Sequence, residues 1–182
     1  MTVTLEPFAV SNPEDREALI DFMSQNAFPF HVGHRLTRSE IAAKIEQGDF
    51  DGDDHKTFWI SEQRQGRIGV VVLSELTENV PLFDLRFSEA MRGQGLGVDA
   101  LRAIANVVFE TMPSVNRLEG QTREDNIPMR RTFHNAGWVK EAHYREAWPT
   151  ENGEALASVA YAILRKDWES GTTTPVTWNE PW

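Results

Sequence analysis

The sequence contains no cysteine among its 182 residues. This absence excludes disulfide bonds, thiolate-bound zinc, iron–sulfur clusters and cysteine nucleophiles, and it makes a cytoplasmic location the default expectation. Long hydrophobic runs are lacking as well, since a run such as 68–73 is far shorter than the ~20 residues of a membrane helix. The N-terminal residues show neither the basic region nor the apolar stretch of a signal peptide. We therefore expect no secretion and no membrane partner.

An excess of basic residues is a third feature that the sequence lacks. It has 18 Lys and Arg against 28 Asp and Glu, which gives a formal net charge of −10 and a pI near 5.0. Nucleic acid is not an expected partner because phosphate binding needs a basic patch, whereas an acidic surface mildly favours a cationic acceptor such as an amine. Hydrophobic residues at 40% and charged residues at 25% are ordinary for a globular protein, and the length fits one domain.

Segments with the two-residue period of strands alternate along the chain with segments that have the helical period. Strands are predicted at 3–8, 57–62, 66–75, 81–88, 115–123, 138–148 and 156–164. Helices are predicted after the cap-type residues 11–14, after the capping box 37–40, along the apolar stripe 101–112 and at 126–135. This alternation predicts an α/β or α+β fold in which helices cover a sheet.

Three glycines, Gly93, Gly95 and Gly97, stand between a predicted strand and the clearest predicted helix. Their N–H groups and the helix N-terminus suit the binding of an anion, and Arg92 would add a positive charge. A P-loop is excluded because no Lys follows the glycines. A dinucleotide fingerprint fits poorly, because the spacing is G-x-G-x-G, the loop lies mid-chain and position 117 is Arg. A glycine-rich turn without a ligand is the other alternative.

The spacing Arg92-x-x-Gly95-x-Gly97 resembles the Q/R-x-x-G-x-G/A pyrophosphate loop of the GNAT acetyltransferases. The segment 126–138 resembles the second signature of that family, in which an Asn opens a helix that ends in Gly and an aromatic residue. Further segments are similar to the RimJ/RimL-like branch: 117–121, 137–145 and 161–168. By this resemblance the sequence is identified as a member of the GNAT superfamily, RimJ/RimL-like branch.

The resemblance implies a mixed, mostly antiparallel sheet of seven strands, with helices on both faces and a splayed central pair, the fourth and fifth strands. The pantetheine arm of acetyl-CoA, the implied co-substrate, would lie in the gap between these strands. A backbone N–H group there would polarise the thioester carbonyl. The residues implied to bind acetyl-CoA are Leu85, Phe87, Arg92, Gly93, Gln94, Gly95, Leu96, Gly97, Val98, Asn126 and Arg130. Asn126 also suits a helix N-cap, and Arg130 also suits a solvated helix face.

An amine that attacks a thioester needs a base for its ammonium proton and a group that stabilises the leaving thiolate. Glu119 on the predicted fifth strand is the first candidate for the base, and an ion pair with Arg117 or Arg145 is the alternative role. His134 and Tyr144 are reserve candidates for the acid, with packing or surface positions as their alternatives.

The sequence departs from the family pattern at two positions where relatives often carry a proton donor. Phe133 stands where many members have a Tyr, and Met129 stands where branch members often have a Ser. Neither side chain donates a proton, so the usual acid is missing or lies elsewhere.

The segment 28–34 lies between the first two predicted helices, where the family usually builds its acceptor wall. The candidate acceptor-binding residues are Phe28, Phe30, His31 and His34. The two histidines also have a spacing that suits a metal, but no carboxylate accompanies them, so a wall is favoured and no metal is expected. The acidic run 49–54 fails the EF-hand pattern because Lys56 stands where Gly is required.

The predicted activity is transfer of an acetyl group from acetyl-CoA to a primary amine by direct attack, because the chain has no Cys and no G-x-S-x-G motif. The expected acceptor is a small-molecule amine or a protein N-terminus, and the expected assembly is a monomer or homodimer. The alternatives are a non-catalytic acyl-CoA-binding module and a nucleotide-binding module. We expect a single domain at 1–168 and a C-terminal tail at 169–182 that contains Trp178 and Trp182.

Overall fold

The computed structural model describes residues 3–178. Its strands are β1 (Val3–Pro7), β2 (Lys56–Glu62), β3 (Gly66–Ser74), β4 (Leu82–Phe87), β5 (Arg117–Arg123), β6 (Val139–Pro149) and β7 (Ala155–Leu164). Its helices are α1 (Pro13–Gln25), α2 (Arg38–Glu46), α3 (Leu96–Thr111), α4 (Ile127–Asn135) and α5 (Arg165–Ser170), with a 3₁₀ turn at Glu89–Met91. Every strand and helix predicted from the sequence is confirmed, and α5 and the 3₁₀ turn are additions.

The seven strands form one sheet in the order β1-β2-β3-β4-β5-β7-β6. All neighbours pair antiparallel except β4 and β5. One face is covered by α1 and α2, which pack around Trp59 and Val70, and the other by α3 and α4, which pack around Phe58 and Leu118. The strand residues divide between the two cores because successive side chains point to opposite faces. The mixed, mostly antiparallel sheet with helices on both faces is therefore confirmed.

The parallel neighbours β4 and β5 touch at only one register position, Leu82 opposite Glu119. Beyond this position no further pairing joins them, although four residues of each strand follow. The splayed central pair is thus present, and the gap opens toward the carboxyl ends of both strands. Because parallel strands carry the chain on at those ends, the glycine loop after β4 and the start of α4 after β5 lie beside the open gap.

The helix N-termini follow the signals in the sequence. The side chain of Asn12 accepts a hydrogen bond from the Glu14 N–H group, and α2 begins with a reciprocal capping box between Thr37 and Glu40. The N-cap of α3 is Gly95, in the left-handed conformation with φ of 79°. A glycine cap leaves the first N–H groups of α3 without a side-chain acceptor, so they face the outside of the helix end.

Helix α5 follows β7 directly and turns the chain back over the end of α3. The Arg165 guanidinium donates to the carbonyl groups of Phe109, Met112 and Val115, at 2.8, 2.8 and 2.9 Å. Trp178 is 60% exposed and does not pack on the sheet, whereas Trp182 lies outside the described residues. None of the helices in residues 3–178 is long and apolar enough to cross a bilayer.

Candidate active site

The gap between β4 and β5 offers free backbone groups along the edge of β4. The Glu119 N–H group donates to the Pro81 carbonyl at the narrow end, and the Ser88 N–H group donates to Ile68 on the opposite neighbour, β3. Because strand backbone groups alternate in direction, the N–H groups of Leu85 and Phe87 point into the gap. These are the two positions where the sequence predicts backbone pairing with an extended ligand.

A cavity of about 430 Å³ begins at this gap and runs past the glycine loop to the N-terminus of α3. Nine of the predicted acetyl-CoA-binding residues line it: Leu85, Phe87, Arg92, Gly93, Gly95, Leu96, Gly97, Val98 and Asn126. The other two, Gln94 and Arg130, do not. The side-chain amide of Gln94 donates to the Ala90 carbonyl, and Arg130 donates to the Glu124 carbonyl and to the Tyr161 hydroxyl on the far side of α4.

The glycines of the loop differ in what they allow. Gly93 and Gly95 have φ values of 73° and 79°, and a Cβ atom at either position would have no atom within 4 Å. Open space in front of two left-handed residues lets a ligand approach the backbone closely. At Gly97, a Cβ atom would lie 2.8 Å from the Thr132 side chain, so this glycine allows α3 and α4 to pack closely.

Asn126 links α4 to β5 at the rim of the cavity. Its side-chain oxygen accepts from the Met129 N–H group, and its amide donates to the Thr122 hydroxyl at 2.9 Å. The helix N-cap expected from the sequence is confirmed, and the same residue lines the cavity. On the next turn Arg131, rather than Arg130, reaches the cavity wall, so it is the α4 cation beside this space that sequence reasoning missed.

Arg92 lies where the chain passes from β4 into the glycine loop, and its side chain is engaged by the protein. It donates to the carbonyl groups of Phe87 and Ala27, and its guanidinium lies 5.3 Å from the centre of the Phe28 ring. Burial lowers the pKa of Arg92, and the nearby Glu89 carboxylate partly opposes this effect. Arg92 therefore ties the segment after α1 to the end of β4, in addition to lining the cavity.

The segment 28–34 closes over the open end of the gap. A hydrogen bond from the Phe28 N–H group to the His34 carbonyl joins its ends, and Phe28 itself is buried in the core beneath α1 and α2. Of the predicted acceptor residues, Phe28, Phe30 and His31 border the acetyl-CoA cavity, and His31 and His34 border a cavity of about 670 Å³ on the outer side. The sequence prediction that this segment forms an acceptor wall is consistent with this position.

A charged cluster that the sequence did not reveal lies at the same place. Asp84 of β4 carries one carboxylate oxygen 2.9 Å from Nε2 of His31 and accepts two hydrogen bonds from Arg86 on the other oxygen, at 2.6 and 3.0 Å. Burial acts to raise the pKa of Asp84, but the His31 imidazole and the Arg86 guanidinium outweigh it and hold that pKa well below its ordinary value. Asp84 therefore remains a carboxylate at neutral pH.

Glu119, the first candidate for the base, lies at the narrow end of the gap. One of its oxygens is 2.6 Å from the Arg117 guanidinium, and the other accepts from Gln121 at 2.9 Å. Arg117 also pairs with Glu141 of β6, so the expected ion pair is present. Gln121, and not Glu119, borders the cavity of about 320 Å³ between β4 and β5. Its catalytic role stays a prediction that this arrangement does not favour.

His134 and Tyr144 lie away from the gap. His134 borders a separate cavity on the outer side of α4, together with Arg130 and Lys140. Tyr144 is 48% exposed on β6, which is the edge strand of the sheet. The structure brings neither of them together with Glu119 or with the glycine loop, and their roles as acids stay predictions.

Phe133, which stands where many relatives carry a Tyr, is fully buried and stacks on Tyr161 with the ring centres 4.7 Å apart. A Cβ atom at Gly120 would lie only 2.7 Å from Cζ of Phe133, so β5 closes off the ring at the position of a tyrosine hydroxyl. We expect Phe133→Tyr to lower the free energy of unfolding by about 1–3 kcal/mol in urea melts. The acetylation rate should not rise, and a stable variant with a faster rate would contradict this packing argument.

Within residues 3–178, no three side chains of the His, Cys, Asp or Glu type converge as metal ligands. His31 and His34, whose spacing raised that alternative, have different partners: Asp84 for His31 and Glu151 for His34. The chemistry of the site therefore has to be argued from hydrogen bonds, charges and backbone groups.

The split sheet, the glycine loop at a helix N-terminus and a cavity that joins them define a class: acyltransferases that take an acyl group from a coenzyme A thioester. The chain belongs to the GNAT acetyltransferase family, because the family model described as "Acetyltransferase (GNAT) domain" matches residues 3–139, three quarters of the sequence. Its co-substrate is acetyl-CoA, and the family membership favours an N-acetyltransferase over a non-catalytic binding module.

Solved structures share this fold at low sequence identity. A GNAT-family acetyltransferase from Bacillus anthracis is 17% identical and superposes with a TM-score of 0.73, covering 91% of this chain and 96% of that chain. The spermidine N-acetyltransferase from Vibrio cholerae, in complex with CoA and spermine, is 16% identical with a TM-score of 0.75, covering 92% and 98%. No curated protein sequence matches the chain. At these identities the structural neighbours support the fold alone.

Proposed function

We propose that this protein transfers the acetyl group of acetyl-CoA directly to a primary amine of a small molecule. The observation that carries the proposal is the continuous space from the glycine loop, through the gap between β4 and β5, to the acceptor side of segment 28–34. Acetyl-CoA would enter from one end and the amine from the other. We keep the RimJ/RimL-like branch as part of this proposal.

The residues of the chain would divide the work by position. Gly93 and Gly95 leave room for the pyrophosphate against backbone N–H groups at the start of α3. The N–H groups of Leu85 and Phe87 face the gap, so one of them is placed to donate to the thioester oxygen as negative charge develops there. A fixed donor of this kind costs no reorganisation during the reaction, which is why it accelerates acyl transfer.

The acceptor side favours an amine with a positive charge. Asp125, Glu151 and Glu154 border the outer cavity, together with Arg123 and His34. The excess of acidic side chains there agrees with the net charge of −10 for the whole chain. We prefer a small molecule because segment 28–34 covers the open end of the gap, whereas a protein N-terminus needs a channel wide enough for a peptide.

The test is release of free thiol from acetyl-CoA in the presence of polyamines, amino acids, aminoglycosides and short peptides with free N-termini. We expect turnover with a small amine and little with the peptides. Efficient turnover on peptides alone would contradict the small-molecule acceptor. Acetyl-CoA binding without turnover on any amine would favour the binding-module alternative, and stabilisation by NAD or ATP in preference to acetyl-CoA would contradict the whole proposal.

The division of the chain into a domain at 1–168 and a tail at 169–182 also stays a proposal. Helix α5 runs across that boundary, and Asp167 accepts hydrogen bonds from the backbone and the hydroxyl of Thr174, at 3.0 and 2.6 Å. The first residues of the tail are thus held against the domain. A cytoplasmic location and the choice between monomer and homodimer stay predictions from the sequence.

A further inference from the structure

We propose that His31 is the general base that accepts the ammonium proton of the acceptor, and that Asp84 is the positioning residue that orients its ring. This inference rests on the proposed acetyl transfer and assigns the proton-transfer step to a pair of residues. Neither was a candidate for it in the sequence, where Glu119 stood first.

The position of His31 is the first argument. Three cavities meet at the open end of the gap: that of the acetyl-CoA site, that between β4 and β5, and that of the acceptor side. Among the described residues, His31 alone borders all three. An amine that comes from the acceptor side must meet the thioester carbon where these spaces join, so a base has to lie at this junction.

The ring of His31 is held in place by its surroundings. Its backbone N–H group donates to the Phe28 carbonyl at 2.9 Å, and the Phe28 ring packs edge-on against the imidazole with centres 5.8 Å apart. Phe28 is fixed in turn between the guanidinium groups of Arg86 and Arg92, at 4.9 and 5.3 Å. A base on a short loop is therefore supported as firmly as one on a strand.

The two ring nitrogens have different environments. Nε2 lies 2.9 Å from the Asp84 carboxylate, whose second oxygen is fixed by Arg86. Nδ1 is closed off from solvent and has no hydrogen-bond partner among residues 3–178. A carboxylate beside Nε2 favours the tautomer with the proton on Nε2, which leaves the lone pair on Nδ1 to accept a proton. The same carboxylate stabilises the imidazolium that results.

The proton and electron balance is as follows. Nδ1 of His31 takes one proton from the acceptor ammonium, and the freed nitrogen lone pair forms the new C–N bond to the acetyl carbon. The C–S bond breaks, its electron pair stays on sulfur, and the thiolate takes up a second proton from the same nitrogen. The products are an N-acetyl amine and free CoA, and His31 then passes its proton to water. No oxidant or metal is required.

Several charged groups face His31 from the elements packed around it, and each contributes to its titration. These groups are Asp84 and Arg86 of β4, Arg92 after β4, Arg123 and Asp125 at the end of β5, His34 of the same segment, and Glu151 and Glu154 of the turn between β6 and β7. A variant of His34 therefore has to be measured beside that of His31, because it is the other titrating imidazole there.

The kinetic test compares His31→Gln with the wild type on the best amine. We expect kcat to fall about 10²–10⁴-fold, the usual contribution of a general base, while the Kd of acetyl-CoA changes little. The acid limb of the kcat/KM profile should disappear in His31→Gln and persist in His34→Gln. With an aromatic amine, which is unprotonated at neutral pH, the defect should shrink. His143→Gln, an exposed position on β6, is the matched control and should resemble the wild type.

A second readout is independent of turnover. Nitrogen-detected NMR of the histidine rings should show the Nε2–H tautomer for His31 in the wild type, and a mixture of tautomers in Asp84→Asn. An unchanged acid limb in His31→Gln, or the Nδ1–H tautomer in the wild type, would overturn the assignment. If the wild type itself acetylates no amine, the proposed function fails instead, and the NMR result still reports whether Asp84 orients the ring.

Discussion

Gly95→Ala should raise the Kd of acetyl-CoA by roughly 10- to 100-fold while the protein stays folded. Gly95 has φ of 79°, and its missing Cβ would point into empty space beside the cavity. A methyl group there would occupy the space through which a pyrophosphate reaches the backbone N–H groups of α3. The left-handed conformation adds about 1–2 kcal/mol of strain for a non-glycine residue. Isothermal titration calorimetry with acetyl-CoA measures the effect.

Gly66→Ala is the matched control, because Gly66 has φ of 69° and likewise has no atom near a built Cβ. It lies in the hairpin between β2 and β3, outside the cavities of the site. The two variants should lose similar stability, and only Gly95→Ala should lose affinity for acetyl-CoA. Equal affinities in both variants would mean that the glycine loop is a structural turn without a ligand.

Arg165→Ala should lower the free energy of unfolding by about 3 kcal/mol, the largest stability effect that we expect for a single side chain outside the core. The guanidinium donates to three carbonyl groups that follow the end of α3, and it also lies 5.0 Å from the centre of the Phe109 ring. A cation at a helix C-terminus further interacts with the helix dipole. Urea-induced unfolding followed by circular dichroism gives the difference.

Two further variants separate this geometry from simple loss of charge. Arg165→Lys keeps the charge, but a single ammonium group cannot reach three carbonyl groups at once, so most of the loss should remain. Arg64→Ala removes an arginine from the exposed hairpin and should change stability by less than about 0.5 kcal/mol. If Arg165→Ala lost no more than Arg64→Ala, the link between β7 and α3 would contribute nothing to stability.

The order of strands and helices could be predicted because each element carries its own local signal. The apolar stripe 101–112 and the capping box 37–40 specify helices through residues that are close in sequence. Helix α5 was missed because Arg165–Ser170 is only six residues long and its stabilising contacts come from the distant end of α3. A long-range contact leaves no periodic pattern in the sequence.

The acetyl-CoA site was predictable for a related reason. A glycine loop holds its ligand with backbone groups, so the spacing of Gly93, Gly95 and Gly97 largely defines it. The errors were in side-chain direction: Arg130 turns to the Tyr161 hydroxyl, and its neighbour Arg131 borders the cavity instead. Which side of a short helix faces a cavity depends on how the helix packs, which spacing alone does not fix.

The proton-transfer residues could not be predicted in the same way. Asp84 and His31 lie in different elements, a strand and a loop, and only the packing of segment 28–34 over the gap brings them together. Glu119 was favoured because it lies on the strand beside the gap, yet Arg117 and Gln121 engage both of its oxygens. An isolated carboxylate in a sequence gives no sign of the partners that occupy it.

The central claim is that the cavity through the split sheet serves acetyl transfer to an amine. The most direct measurement uses acetyl-CoA with an isotopic label in the acetyl group, together with the small amine that gives the most thiol release. The account predicts that the label appears in an amide of that amine, in equal amount to the free CoA. Label that stays in the thioester, or that is released only as acetate, would contradict it.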